Sequence, residues 1–238
     1  MVPFLYALAS VAATWLGGVV ILRRKNWAER NLWRVLAFGS GLLLAMTFLH
    51  LLPEAWELNP RWAGGSVVAA LVLLFIVESF TVVHACGEVA EPCHVHRVGY
   101  GALAALFVHS LADGLAIAFS FLSSQPLGVA VASAVTVHKF SDGMTLSSLF
   151  LGAGHPKARA RALVGVLALA TPLGVALGSF GGEGLGGTTL AVLLGFAAGG
   201  FLYVSMADVL PRIHRSRDPW CWALLVAGVG AAVLLPHP

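Results

Sequence analysis

The chain has 238 residues, 58% of them hydrophobic and 11% charged, with mean hydropathy +0.87 and a formal net charge of +3. No ordinary soluble domain has that composition, and so weak a net charge does not point to nucleic acid. The three cysteines, Cys86, Cys93 and Cys221, show no CxxC spacing, which argues against a disulfide framework or a zinc finger.

A membrane-spanning helix needs about 20 mostly apolar residues. Eight segments qualify, at about 3–22, 34–54, 65–86, 98–122, 126–151, 160–180, 187–210 and 219–236. Little chain lies outside them, so residues 1–238 read as one transmembrane domain, an all-α integral membrane fold. Segment 1 does not read as a cleavable signal, because its basic residues follow the apolar run instead of preceding it.

Segment 2 ends in Phe48-Leu-His-Leu-Leu-Pro-Glu-Ala55. His50 and Glu54 share one helix face there and suit the admission of a cation, while the Leu-Pro that separates them equally suits an interfacial cap. Segment 3 carries Glu78 and His84. The connector Cys86-Gly-Glu-Val-Ala-Glu-Pro-Cys-His-Val-His96 follows. Its Cys93, His94 and His96 read either as a weak, exchangeable metal-handling loop or as a short polar connector.

Segments 4 and 5 contain the same short phrase. Phe107-Val-His-Ser-Leu-Ala-Asp-Gly114 aligns with Thr136-Val-His-Lys-Phe-Ser-Asp-Gly143 at an offset of 29, pairing His109 with His138, Asp113 with Asp142 and Gly114 with Gly143. Ionisable side chains inside a membrane are costly, so they mark a site. A His and an Asp four residues apart lie one turn apart on one face. Two such faces make an N2O2 cage for a divalent transition metal, with zinc, iron(II), manganese, cobalt and cadmium all admissible. Two close carboxylates with no metal would repel and tend to share a proton, so metal binding would release protons. Lys139 needs an anionic partner, and Asp113 and Asp142 are the nearest. A bridging ammonium there would take the place of a second metal and leave a mononuclear site. Ser110 and Ser141 could donate to the carboxylates or serve close packing.

Pro172 predicts a bend in segment 6. Segment 7 resembles segment 2 at an offset of 158, with Phe38/Phe196, Gly41/Gly199, Leu44/Leu202, Leu52/Leu210 and Pro53/Pro211 identical and Asp208 opposite His50. Asp208 therefore suits metal release as His50 and Glu54 suit admission. Twelve of the 14 Lys and Arg fall in the loops after segments 1, 3, 5 and 7, and the even loops hold only Arg61. Positive-inside places the odd loops in the cytoplasm and both termini outside. Segments 2 and 7, and likewise 4 and 5, then run in opposite directions, as inverted-topology repeats do.

These motifs, with Thr171-Pro-Leu-Gly174 and Phe201-Leu-Tyr-Val…Asp208-Val-Leu-Pro211, resemble those of the ZIP (Zrt/Irt-like) divalent metal transporters. The resemblance implies a 3+2+3 inverted-repeat architecture with the transport site on segments 4 and 5, and is compatible with a homodimer. The chain departs from the family pattern at Ser110, where many members carry Asn, at Lys139 and Asp142 in segment 5, and at Thr171, where members with a two-metal centre often carry Glu. All three changes weaken a second metal site. Brevity and low charge fit a bacterial cytoplasmic (inner) membrane, with an organellar membrane also open. No nucleotide-binding motif accompanies the site, so ATP drive is not expected. The alternatives are a membrane-embedded zinc-dependent hydrolase, which would use Ser110 near an open metal position, and a metal sensor.

Overall fold

The computed structural model describes residues 1–83, 95–182, 184–216 and 218–236, without the side chains of residues 28, 29, 78–83, 95–99, 208, 212 and 216. No strand occurs among the described residues. The helices are α1 (Val2–Arg23), α2 (Lys25–Met46), α3 (Leu52–Leu58), α4 (Pro60–Val83), α5 (Val95–Ser123), α6 (Gln125–Gly152), α7 (Lys157–Ala168), α8 (Ala170–Gly181), α9 (Gly187–Leu202), α10 (Leu210–Ser216) and α11 (Pro219–Val233). Among the described residues, six stretches are long and apolar enough to cross a membrane: Val2–Arg23, Arg30–Leu58, Pro60–Val77, Tyr100–Ser123, Lys157–Gly181 and Gly187–Ala207. Helix α6 has the length, at 28 residues, but its middle carries Thr136, His138, Lys139, Ser141 and Asp142. Helix α11 is apolar and shorter, at 15 residues.

Three predicted segments are interrupted, each at a proline. Pro lacks an N–H and its ring clashes with the carbonyl four residues back. Segment 2 passes through a π-helical turn, Thr47–Leu51, just before Leu52-Pro53. Segment 7 does the same at Tyr203–Val209, before Leu210-Pro211. A widened turn absorbs the missing hydrogen bond without ending the helix. His50 and Asp208 each lie within one of these turns. Segment 6 instead divides into α7 and α8 at Leu169, three residues before Pro172. Helices α5 and α6 are joined at Ser124, whose hydroxyl accepts the Leu127 N–H and caps α6.

Glycines set the tightest helix pairs. A Cβ at Gly143 would overlap the Thr14 carbonyl, and one at Gly17 the Phe140 carbonyl, so α1 and α6 touch backbone to backbone. Gly114 meets the Thr171 carbonyl and Gly174 the Leu111 carbonyl, which joins α5 to α8 in the same way. The two sets repeat one pattern: 29 residues separate Gly114 from Gly143 and Leu111 from Phe140, and 157 separate Thr14 from Thr171 and Gly17 from Gly174. In the other helices Gly41 meets the Leu225 carbonyl and Gly199 the Val67 carbonyl, a pair of contacts related by 158 residues. Two groups of helices result: α1 with α5–α8, and α2–α4 with α9–α11.

The largest apolar cluster lies mainly between the middle of the bundle and the α5–α6 turn. It gathers Leu43, Met46 and Leu51 with Ile117, Leu127, Val131, Leu194 and Phe201. The opposite end is divided among three smaller clusters, around Phe150 and Leu167, around Ile213 and Cys221, and around Ile21 and Met144.

Candidate metal centre

The centre is built where α5 and α6 run side by side. His109 and Asp113 project from one turn of α5, and His138 and Asp142 from one turn of α6, as the four-residue spacing dictates. Ligand atoms of His109, His138 and Asp142 all lie within 4.8 Å of one another. The two imidazole rings stand edge to face with centroids 5.9 Å apart. His138 Nε2 lies 3.2 Å from Asp142 Oδ1, and His109 Nε2 lies 3.5 Å from Asp113 Oδ2. Neither Nε2 makes a well-aligned hydrogen bond, although both are buried, and His138 Nδ1 on the far edge of its ring also lacks one. Buried polar atoms normally find partners, and one nitrogen from each ring together with an Asp142 oxygen is close enough to share a metal ion.

Lys139 lies wholly inside the protein. Its Nζ donates to Asp142 Oδ2 at 2.6 Å and to Ser110 Oγ at 2.8 Å, and forms an ion pair with Asp113. An ammonium has three donors, and here three acceptors from two helices meet them. The two carboxylates thus share a cation. Ser110 accepts from the lysine instead of donating to a carboxylate. Ser141 donates to the His138 carbonyl at 2.5 Å, a main-chain role.

His50 is buried in its π-helical turn. Glu54, in the first turn of α3, accepts a hydrogen bond from Ser123 at the end of α5. Neither belongs to the group of converging ligand atoms. The side chains of Asp208, Glu78 and His96, and all of His84, Cys93 and His94, lie outside the described residues.

One contact had no signal in the sequence. A Cβ at Gly39 of α2 would stand 3.2 Å from His138 Nδ1 and 3.8 Å from Ser141 Oγ. Gly39 faces Ala197 in the internal repeat, so the alignment that marked Gly41 passed over it.

The ZIP zinc transporter family profile matches residues 84–235, well over half of the chain. The chain belongs to the ZIP family. It is 31% identical to zinc transporter ZIP13 of Pongo abelii over 237 residues, covering 87% of this chain and 68% of that protein. The Mus musculus ZIP13 is 28% identical over 259 residues, covering 87% and 72%. Zinc transporter SLC39A7 of Canis lupus familiaris is 34% identical over 149 residues, covering 58% of this chain and 32% of that protein. Membership and the run of apolar helices make this ZIP protein a multi-pass integral membrane metal transporter and not a hydrolase.

Proposed function

We propose that this ZIP protein is a secondary transporter that carries zinc into the cytoplasm, one ion at a time, with cadmium, iron(II), manganese and cobalt admitted by the same ligand chemistry. The convergence of His109, His138 and Asp142 at the centre of two long paired helices carries the reading. Two borderline nitrogens and a hard oxygen suit zinc. Asp113 completes the set as the fourth group, held between His109 and Lys139. Bound imidazoles usually donate their second N–H to a carbonyl or carboxylate, which tightens metal binding. His138 Nδ1 has no such partner and faces Gly39, which favours reversible binding over storage. The Lys139 ammonium takes the seat of a second metal, so the site is mononuclear.

The architecture we infer is eight spans in a 3+2+3 inverted repeat, with both termini outside and the odd loops in the cytoplasm. The recurring glycine contacts and the paired π-helical turns at His50 and Asp208 support it. Transport follows by alternating access. The two glycine-locked groups of helices move against each other, with the site on the first. His109 keeps 20% of its side chain exposed and its counterpart His138 only 4%. That asymmetry, with the undivided apolar cluster on the α5–α6 side, supports a form open toward the cytoplasm. Glu54 and His50 serve admission from outside, Asp208 serves release, and Cys93, His94 and His96 handle the released ion. A bacterial inner membrane and a homodimer complete the reading.

The test is metal flux into proteoliposomes with zinc, cadmium, manganese and iron(II), wild type beside His138→Ala and Asp113→Ala. Saturable zinc uptake that falls at least about tenfold in His138→Ala is expected, since one ligand of few is lost. Equal flux in both variants and wild type would place the pathway elsewhere. No flux of any metal by wild type would favour the metal-sensor alternative.

A further inference from the structure

Within the transporter reading above, we propose that Lys139 is a fixed counter-charge that lets the metal-free carrier recross the membrane alone. The protein is then an electrogenic uniporter of divalent cation, needing neither a counter-transported metal nor a coupling proton.

Charge decides how the site can cross the membrane. In the helix group that holds the site, the membrane-embedded parts of α1, α7 and α8 carry no Asp, Glu, Lys or Arg between residues 2 and 22 or between 163 and 182. Between residues 100 and 152, which cover most of α5 and all of α6, the charged residues are Asp113, Lys139 and Asp142 alone. All three are buried and meet at a single point. With neutral imidazoles, the metal-free site carries a formal charge of minus one. With a divalent cation it carries plus one. The cost of burying charge grows as its square, so loaded and empty forms bear the same penalty and neither is trapped on one side. Without the lysine the loaded site would be neutral, and the empty site would carry minus two until a proton took the lysine's place. An unprotonated empty form would face a fourfold larger self-energy, so a carrier of that kind returns readily only when reloaded or protonated, which makes it an exchanger or couples it to protons.

The geometry suits a permanent charge rather than a mobile one. The ammonium's donors are met by Ser110, Asp113 and Asp142, on both α5 and α6. Those acceptors lie on the helices that would travel together, so the lysine moves with the site and its interactions need not break during the cycle.

The experiment measures zinc uptake into proteoliposomes with a trapped fluorescent chelator, under potassium diffusion potentials set by valinomycin, at equal and strongly buffered pH on both sides. Zinc–zinc exchange is measured in parallel in vesicles preloaded with zinc. Wild type should take up zinc with no internal metal, faster as the interior is made negative. With the chelator left out, accumulation should approach the order of 10³-fold at about 100 mV for a doubly charged cargo. At about pH 8, where few protons are available to replace the lysine, Lys139→Met should lose net uptake by about tenfold or more while exchange stays within about threefold, because only the empty return is burdened. Lys139→Arg, which keeps the charge, should retain net uptake. Wild-type uptake that ignores the potential, or that requires internal metal, would overturn the proposal and leave the transporter reading standing. So would equal loss of both modes in Lys139→Met, since the lysine would then hold the site together instead of balancing it. Absence of both modes in wild type would sink the transporter reading itself.

Discussion

Each charged side chain between Tyr100 and Gly152 takes part in one cluster, and the residue beside a ligand decides what that cluster can hold. Lys139 follows His138 in the chain, yet its Nζ reaches the carboxylate of Asp142 one turn on and crosses to Ser110 and Asp113 on the neighbouring helix. The His/Asp pairs were legible from spacing alone, because a helix fixes which residues share a face. The partners of Lys139 were legible only as a need for an anion, and the Gly39 contact not at all, because crossings between helices far apart in sequence leave no local pattern. Outside the membrane, Asp218 accepts from Arg34 Nε at 2.8 Å and from the Trp220 N–H at 3.0 Å. The Arg34 hydrogen bond, then that backbone bond, hold its carboxyl below the usual range. A carboxyl that is more acidic when folded contributes stability fully above its unfolded value of about 4 and loses it as the pH falls through the lowered folded value. Asp218→Asn should therefore lower the unfolding temperature in detergent slightly at pH 7, the pair being solvent-screened. The gap to wild type should close below about pH 4. A gap that is unchanged at low pH would assign the effect to the helix cap instead.

At the scale of the helix, small residues decide how near two backbones come. Gly143 and Gly114 follow Asp142 and Asp113, and each lies against a carbonyl of a neighbouring helix. Gly143→Ala would force α1 and α6 apart beside Asp142 and should cost about 1–3 kcal/mol, the usual range for overpacking. Gly152→Ala, whose Cβ would meet nothing within 4 Å, should be nearly neutral. Thermal unfolding of the two purified variants compares them, and equal shifts would mean that the glycine seam is not what joins these helices. Most spans were legible as apolar runs of sufficient length. The interruptions were less so. Pro172 announced a bend, but nothing in the sequence told whether Pro53, Pro172 or Pro211 would be absorbed by a π-helical turn or would break the helix. The structure widens the helix before Pro53 and Pro211 and divides it at Leu169.

Across the whole molecule, contacts recur at offsets of 29, 157 and 158 residues, so two halves of the chain pack by related rules. The internal repeats were readable where His, Asp and Gly matched. The counterpart relation of Gly17 and Gly174 lies in a short match, Thr14-Trp-Leu-Gly17 to Thr171-Pro-Leu-Gly174, that only their contacts made evident. An eight-span protein with an inverted repeat has both ends on one side. Single-cysteine variants at residue 3 and residue 236, in a background with the native cysteines replaced, should both react with a membrane-impermeant maleimide in intact cells. Reaction of one end alone would require an odd number of spans and would dismantle the repeat.

We expect one divalent ion at a time between α5 and α6, with Lys139 beside it in place of a second. Anomalous X-ray scattering at the zinc edge, from crystals of the zinc-loaded protein, counts the ions at that position. The account predicts a single peak among His109, His138 and Asp142, lost in His138→Ala. Two peaks bridged by Asp113 and Asp142, with the Lys139 side chain turned away, would contradict it.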